Sequence, residues 1–195
     1  MPAPELADAE LIAALLVGEP RAGGLLYDRL IRVVEWTILR VLGRRRTDHE
    51  DLVQAAFEQI VTSLYRQRFA RACSLTSWAA SISCHVALNV LRGERRGRRV
   101  LVPEPEPGMS ERAPAGLDLE QQVDARRELE RVRRALAAMK PERASAVLLH
   151  DVSGLELKEL AAVMGVSVAA AQSRLSRGRR ELAERLAADA GGSGS

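Results

Sequence analysis

The chain has 195 residues, a formal net charge of +3 and 47% hydrophobic residues, yet only 3% are aromatic. Domains average roughly 100–150 residues, so this length holds one medium domain or two small ones. No apolar stretch approaches the roughly 20 residues of a membrane span, and Glu5, Asp8, Glu10, Glu19 and Arg21 interrupt any secretory signal, so the chain reads as cytoplasmic and Cys73 and Cys84 are expected to be reduced thiols. Leu, Ala, Arg and Glu dominate, and these residues lose least on entering a helix, so the expected fold class is all-α.

Leu11, Leu15 and Leu16 give a short amphipathic start, followed by a break at Gly18, Pro20, Gly23 and Gly24. Leu26, Leu30, Val33, Val34, Ile38, Val41 and Leu42 then recur at three- and four-residue spacing until Gly43 and an arginine run. A further helix opens near Thr47–Asp48, with Glu50 and Asp51 in the first turn, where the helix dipole favours negative charge. Its apolar positions are Leu52, Val53, Ala56, Phe57, Ile60, Val61 and Leu64. After a polar interruption at Arg66–Ser74, a helix from about Thr76 to Arg92 or beyond carries Trp78, Ile82, Val86 and Val90 on one stripe, which gives Trp78 a core role over a base-stacking one.

Val102-Pro-Glu-Pro-Glu-Pro-Gly108 and Ala113-Pro-Ala-Gly116 build neither helix nor core, so residues 100–120 read as a tether. This divides the chain into helical domains at 8–99 and 121–188, with a flexible tail at 189–195. In the second domain Leu129, Val132, Ala135, Leu136 and Met139 line one face, and Pro141 suits a first helical position. Val147–Leu149 continue the apolar pattern until Ser153-Gly154, a short helix spans Glu156–Met164, and Ser167 is an N-cap for a last helix reaching about Ala188.

The segment from Glu159 to Leu175 reads as a helix-turn-helix. Ala161 is small where two helices cross, Gly165 permits a left-handed turn, and Val166 plugs the corner. Ala171, Leu175, Gly178, Leu182 and Leu186 form the expected buried face of the second helix. Gln172, Ser173, Arg174, Ser176, Arg177, Arg179 and Arg180 then face outward. Short polar side chains followed by arginines suit the major groove, where amides and hydroxyls pair with base edges and guanidinium groups reach phosphates. An ordinary helical hairpin with a solvated basic face has the same spacing. Arginines also cluster at 92–99, so two basic patches flank an acidic middle, as two polyanion-binding surfaces or two solvated faces would.

Two separated segments together resemble the extracytoplasmic-function group of sigma factors, in the sigma-70 family. Asp48-His-Glu-Asp-Leu-Val-Gln-Ala-Ala-Phe57 is similar to that family's acidic helix in region 2, and Ser74-Leu-Thr-Ser-Trp78 with Ile82, Ala87 and Leu91-Arg92 to its next helix. Lys140-Pro-Glu-Arg143, Val147-Leu-Leu149, Gly154, Glu159-Leu-Ala161, Gly165-Val-Ser167 and Ser173-Arg-Leu-Ser-Arg-Gly-Arg179 resemble its region 4. The resemblance implies two helical domains on a flexible linker that bring bacterial core RNA polymerase, through its β′ and β subunits, to promoter DNA.

The same resemblance implies a role for each surface. Glu50, Asp51, Gln54 and Glu58 would dock on the arginine-rich β′ coiled coil. The loop Phe69–Leu75 and the helix after it would hold the non-template strand near the minus-ten element. Arg66, Arg68, Arg71, Ser74, His85, Asn89, Arg92, Arg95 and Arg96 are the minus-ten set. Gln172, Ser173 and Ser176 would face minus-35 bases, and Arg174, Arg177 and Arg179 its phosphates. An anti-sigma factor is an expected partner. The chain departs from the family at Ala70-Arg71 for the usual Asp-Gly, Leu75 for an aromatic, His85 for Asn, and Ala79-Ala80 for a larger pair.

Cys73, Cys84, His49 and His85 lack the close pairing of a zinc site, and no nucleophile–base pair, phosphate-binding glycine loop or paired carboxylate is recognisable. No catalytic residue, metal or cofactor is therefore expected. The alternative function is a helix-turn-helix regulator or sigma-like decoy that does not itself open promoters.

Overall fold

A computed structural model describes residues 7–98 and 119–191. Most of the expected tether 100–120 and the tail 192–195 lie outside the described residues. Among the described residues eight α-helices follow in order: α1 (Asp8–Leu16), α2 (Ala22–Leu42), α3 (His49–Tyr65), α4 (Leu75–Arg98), α5 (Leu119–Ala138), α6 (Pro141–Val147), α7 (Leu157–Met164) and α8 (Val168–Gly191). A π-helical turn, Leu148–Val152, extends α6. The fold is all-α, as the composition implies, and among the described residues no strand occurs.

The first bundle packs α2 against α4, with α1 and α3 alongside. Leu26, Leu30, Val34 and Ile38 of α2 are at most 1% exposed, as are Ala56, Ile60 and Leu64 of α3. Each buried Leu or Ile contributes on the order of 1.5–3 kcal/mol. Gly43 ends α2 at φ 69°, a left-handed C-cap that only glycine adopts without strain. Asp8 of α1 reaches across the bundle: its Oδ2 accepts from the Leu75 backbone N–H at 3.0 Å, and its Oδ1 from Arg29 at 3.0 Å. That carboxylate satisfies a donor at the start of α4 that the helix itself leaves open.

The second bundle folds α5, α6, α7 and α8 around Leu136, Met139, Ala144, Leu149, Leu160, Ala171 and Leu175. Gly165, at φ 63°, closes α7 and turns the chain into α8. Two expectations shift in α5. The helix opens at Leu119, and Leu129 is 36% exposed while Arg133 is 7% exposed. The cause is tertiary: α5 packs on α4 as well as α8, and Arg133 lies over Gly43, where a Cβ would overlap its guanidinium. The two bundles are thus not separate bodies, because buried apolar residues form one continuous cluster from Leu11 to Leu175.

Candidate docking and DNA-binding surfaces

On α3, Val53, Ala56, Ile60 and Leu64 are buried, which leaves the opposite edge to Glu50, Asp51, Gln54 and Glu58, all exposed. Gln54 Nε2 donates to Glu58 Oε1 at 3.0 Å, one helical turn away, so the amide and carboxylate form a single hydrogen-bonding strip. The Glu50 side chain is 92% exposed and lies 3.9 Å from Arg45, too loose a pair to occupy it. Arg46 fixes the start of this helix. It donates to both oxygens of Asp48, at 2.7 and 3.1 Å, and also binds Glu94 near the end of α4. The Arg46 hydrogen bond holds the Asp48 carboxyl below its usual range. Behind the acidic edge His49 is 2% exposed, and neither ring nitrogen has a hydrogen-bond partner.

The connection from α3 to α4 carries Arg66, Arg68 and Arg71, all exposed. Arg71 has φ 56° and Gln67 φ 52°, left-handed backbone that a side chain tolerates at a cost of about 1–2 kcal/mol. The expected family pattern places glycine where Arg71 stands, so this chain adopts left-handed backbone there without the residue that favours it. Ser74 is less free than expected. Its Oγ accepts from the Ser77 backbone N–H at 3.0 Å, which makes it the N-cap of α4, and lies 2.9 Å from Thr76 Oγ1. Trp78 is half-buried, with its ring 5.0 Å from that of Phe69, a packing position consistent with its stripe.

At about 100° per residue, α4 divides into three faces. Ala79, Ile82, Val86 and Val90 share the side of the apolar stripe. His85, Asn89, Arg92 and Arg96 recur at spacings of four, three and four along another, where all but the half-buried Arg92 are exposed. His85 Nδ1 lies 2.7 Å from the Ser81 carbonyl. A carbonyl can only accept, so Nδ1 carries the proton and Nε2 is left as the outward polar atom. Burial lowers the Arg92 pKa, and its Nη2 is buried with no hydrogen-bond partner. Arg95 is exposed beside this stripe.

The helix-turn-helix is built from α7, Gly165 and α8. Ser167 Oγ accepts from the Ala170 N–H at 3.2 Å, the expected cap. Gln172, Ser176 and Arg177 are exposed, whereas Ser173 and Arg174 are half-buried. Arg179 is held by both carboxylate oxygens of Asp151, so a phosphate would have to compete with that pair. Gly178 is buried against α6: a Cβ there would stand 2.8 Å from the Arg143 carbonyl oxygen and 2.8 Å from Val147 Cγ2. Beside it, Arg143 binds Glu181 at 2.7 Å and Arg185 at 3.0 Å shares the same carboxylate, which Arg143 chiefly holds below its usual range.

Burial pushes the Cys84 thiol up to about 12 and raises that of the half-buried Cys73, so both are weak nucleophiles. Among the described residues no group of three or more His, Cys, Asp or Glu side chains could hold a metal ion. Among the same residues no helix is long and apolar enough to cross a membrane.

Residues 26–97 match sigma-70 region 2, and residues 129–182 match sigma-70 region 4. The chain is 30% identical over 166 residues to the ECF RNA polymerase sigma factor SigE of Mycolicibacterium smegmatis, covering 83% of this chain and 62% of that relative's length. It is 32% identical to the RNA polymerase sigma factor CnrH of Cupriavidus metallidurans, with 95% of this chain and 97% of that protein covered. The solved structure of CnrH, in complex with the cytosolic domain of CnrY, superposes with a TM-score of 0.54 at 26% identity, over 94% of this chain and 99% of that one. Both family regions, in order and carried by a relative aligned from end to end, establish that this chain belongs to the extracytoplasmic-function group of the sigma-70 family of RNA polymerase sigma factors.

Proposed function

We propose that the chain directs bacterial core RNA polymerase to specific promoters and promotes initiation through three of its surfaces. The acidic edge of α3 docks on a basic surface of the polymerase. Arg66, Arg68, Arg71 and the exposed stripe of α4 hold the non-template strand around the minus-ten element, with His85 Nε2 and Asn89 as the groups that meet bases. Gln172 and Ser176 read minus-35 base edges, while Arg174 and Arg177 contact phosphates. The observation that carries this reading is the joint exposure of two unlike polar strips on one bundle, Glu50/Asp51/Gln54/Glu58 and His85/Asn89/Arg96. A DNA-binding module alone has use for the second strip but not the first. The chain itself supplies addressing and strand separation, and the chemistry belongs to the polymerase in the cytoplasm. An anti-sigma partner fits this reading, since the related CnrH was solved bound to the cytosolic domain of CnrY.

Run-off transcription with core polymerase on genomic fragments tests the proposal. Specific transcripts support it; none at all favours a stand-alone regulator, and suppression of another sigma factor's transcripts favours a decoy. Asp51→Arg reverses charge on an exposed position, so it should leave the helical circular dichroism unchanged and abolish association with core polymerase. Retained association would remove α3 as the dock.

A further inference from the structure

Where α4 passes α5 the two helices do not close completely. Leu91 and Arg95 of α4 and Arg133, Arg134 and Ala137 of α5 enclose a cavity of about 150 Å³. Leu91, Ala137 and Arg133 are none more than 7% exposed and form its floor, whereas Arg95 and Arg134 are exposed and stand at its mouth. Leu91 and Arg95 are one helical turn apart, as are Arg133 and Ala137, and the small Ala137 leaves the space between the two pairs unfilled. Three arginines around one cavity are a costly arrangement, because like charges repel and a buried charge needs a counter-charge. Arg133 is accommodated by Gly43, where a Cβ would overlap its guanidinium. Glu130 Oε2 lies 3.9 Å from Arg133 Nη1 and is buried with no hydrogen-bond partner, so this pair is not joined by a hydrogen bond. Arg134 spends one of its five donors, on the Glu130 carbonyl at 3.4 Å. Arg95 makes no hydrogen bond or ion pair among the described residues. An apolar floor therefore meets two uncommitted guanidinium groups.

We propose that this cavity binds a small aromatic anion, a single ring carrying a phosphoryl group, with the ring on Leu91 and Ala137 and the charge against Arg95 and Arg134. An apolar cavity of roughly 150 Å³ accepts a benzene ring. The methylene stems of the arginines extend the apolar floor. Their guanidinium planes stack on ring faces and form paired N–H bonds to phosphoryl oxygens. A phosphoryl group carries about −1.5 to −2 charge at pH 7, which suits two guanidinium groups better than a carboxylate's single charge. Occupancy is independent of the sigma reading, but its consequence rests on that reading. Arg95 belongs to the set proposed above to hold the minus-ten strand, so an occupied cavity withholds it from the strand's phosphates.

Isothermal titration calorimetry of the full-length chain with phenyl phosphate tests the site, with inorganic phosphate supplying the charge alone and benzyl alcohol the ring alone. At equal ionic strength phenyl phosphate should bind at least about tenfold more tightly than either, since each control makes one of the two contacts. Arg134→Gln, at an exposed position, should weaken phenyl phosphate binding about tenfold and leave helical circular dichroism unchanged. Ala137→Leu fills the cavity and should abolish binding; should that variant lose helical circular dichroism, Arg134→Gln decides alone. Absence of phenyl phosphate binding, equal affinity for either control, or wild-type affinity in Arg134→Gln each overturns the site. Saturating phenyl phosphate should also weaken binding of a single-stranded oligonucleotide and lower its logarithmic salt slope by about 0.7, the share of one phosphate contact. An unchanged slope with the cavity occupied would overturn the shared use of Arg95. No oligonucleotide binding at any salt concentration would sink the strand-holding reading while leaving the pocket intact.

Discussion

Gly178→Ala sets two effects of known size against each other. Replacing a helix-interior glycine by alanine ordinarily stabilises by about 0.5–1 kcal/mol, because the unfolded chain loses conformational freedom. At Gly178 the new Cβ would stand 2.8 Å from both the Arg143 carbonyl oxygen and Val147 Cγ2, about 0.6 Å short of ordinary contact. The first of these is backbone of α6 and cannot swing aside, so α8 must move outward, which loosens Ala171 and Leu175 and stretches the Arg143–Glu181 pair. Overpacking of this kind costs about 1–3 kcal/mol, which exceeds the propensity gain. The expected net loss is about 1–2 kcal/mol, a fall in Tm of roughly 2–8 °C for a protein of this size. Gly93, in α4, is the internal control: nothing lies within 4 Å of its Cβ position, so Gly93→Ala should stabilise by about 0.5–1 kcal/mol. Urea unfolding monitored by circular dichroism reads both signs in one experiment. If Gly178→Ala were as stable as wild type while Gly93→Ala gained as expected, α8 would not lie this close to α6.

Three further outcomes follow from individual side chains. Arg71→Gly should raise stability by about 1 kcal/mol in urea titration, since glycine relieves φ 56°; an unchanged midpoint would mean that the left-handed turn stores no strain. Glu181, whose pKa Arg143 holds below the ordinary 4.5, contributes stability that is present above that value and lost as pH falls through the folded pKa. Glu181→Gln should therefore cost about 1 kcal/mol at pH 7, with the gap to wild type closing as the wild-type carboxylate is protonated in acid; a gap independent of pH would dissociate Glu181 from acid unfolding. Arg174→Ala should weaken duplex binding equally on all sequences and reduce the logarithmic salt slope by about 0.9, as one lost phosphate contact requires. A loss confined to one promoter would assign Arg174 to base reading instead.

Much of the fold was legible because burial follows helical period where one face meets one neighbour. Ala171, Leu175 and Gly178 read directly as the inner face of α8, Gly43 as the end of α2 and Gly165 as a left-handed turn. The acidic edge of α3 was legible for the same reason: it is what remains outside once Val53, Ala56 and Ile60 turn inward. Period fails where a helix has two neighbours. Leu129 on α5 reads as core yet is 36% exposed, while α4 and the bare backbone of Gly43 draw Arg133 inward, a burial that period alone does not signal. Bonds such as Ser77–Glu159 and Asp8–Leu75, between residues 82 and 67 positions apart, leave no local signal at all. Nor did motif reading reveal that Ser74 and Arg179 are already engaged, the first as a cap and the second by Asp151.

The Asp8 carboxylate sits outside the stretch matched to region 2, which begins at residue 26, yet it grips the first turn of α4 and Arg29 together. A fragment cut at the family boundary would therefore leave the Leu75 amide without this acceptor and remove the Asp8 bond to Arg29. The α4 end of the arginine-bearing loop would lose its tie to α1, so such a truncated domain would understate how firmly this surface is held.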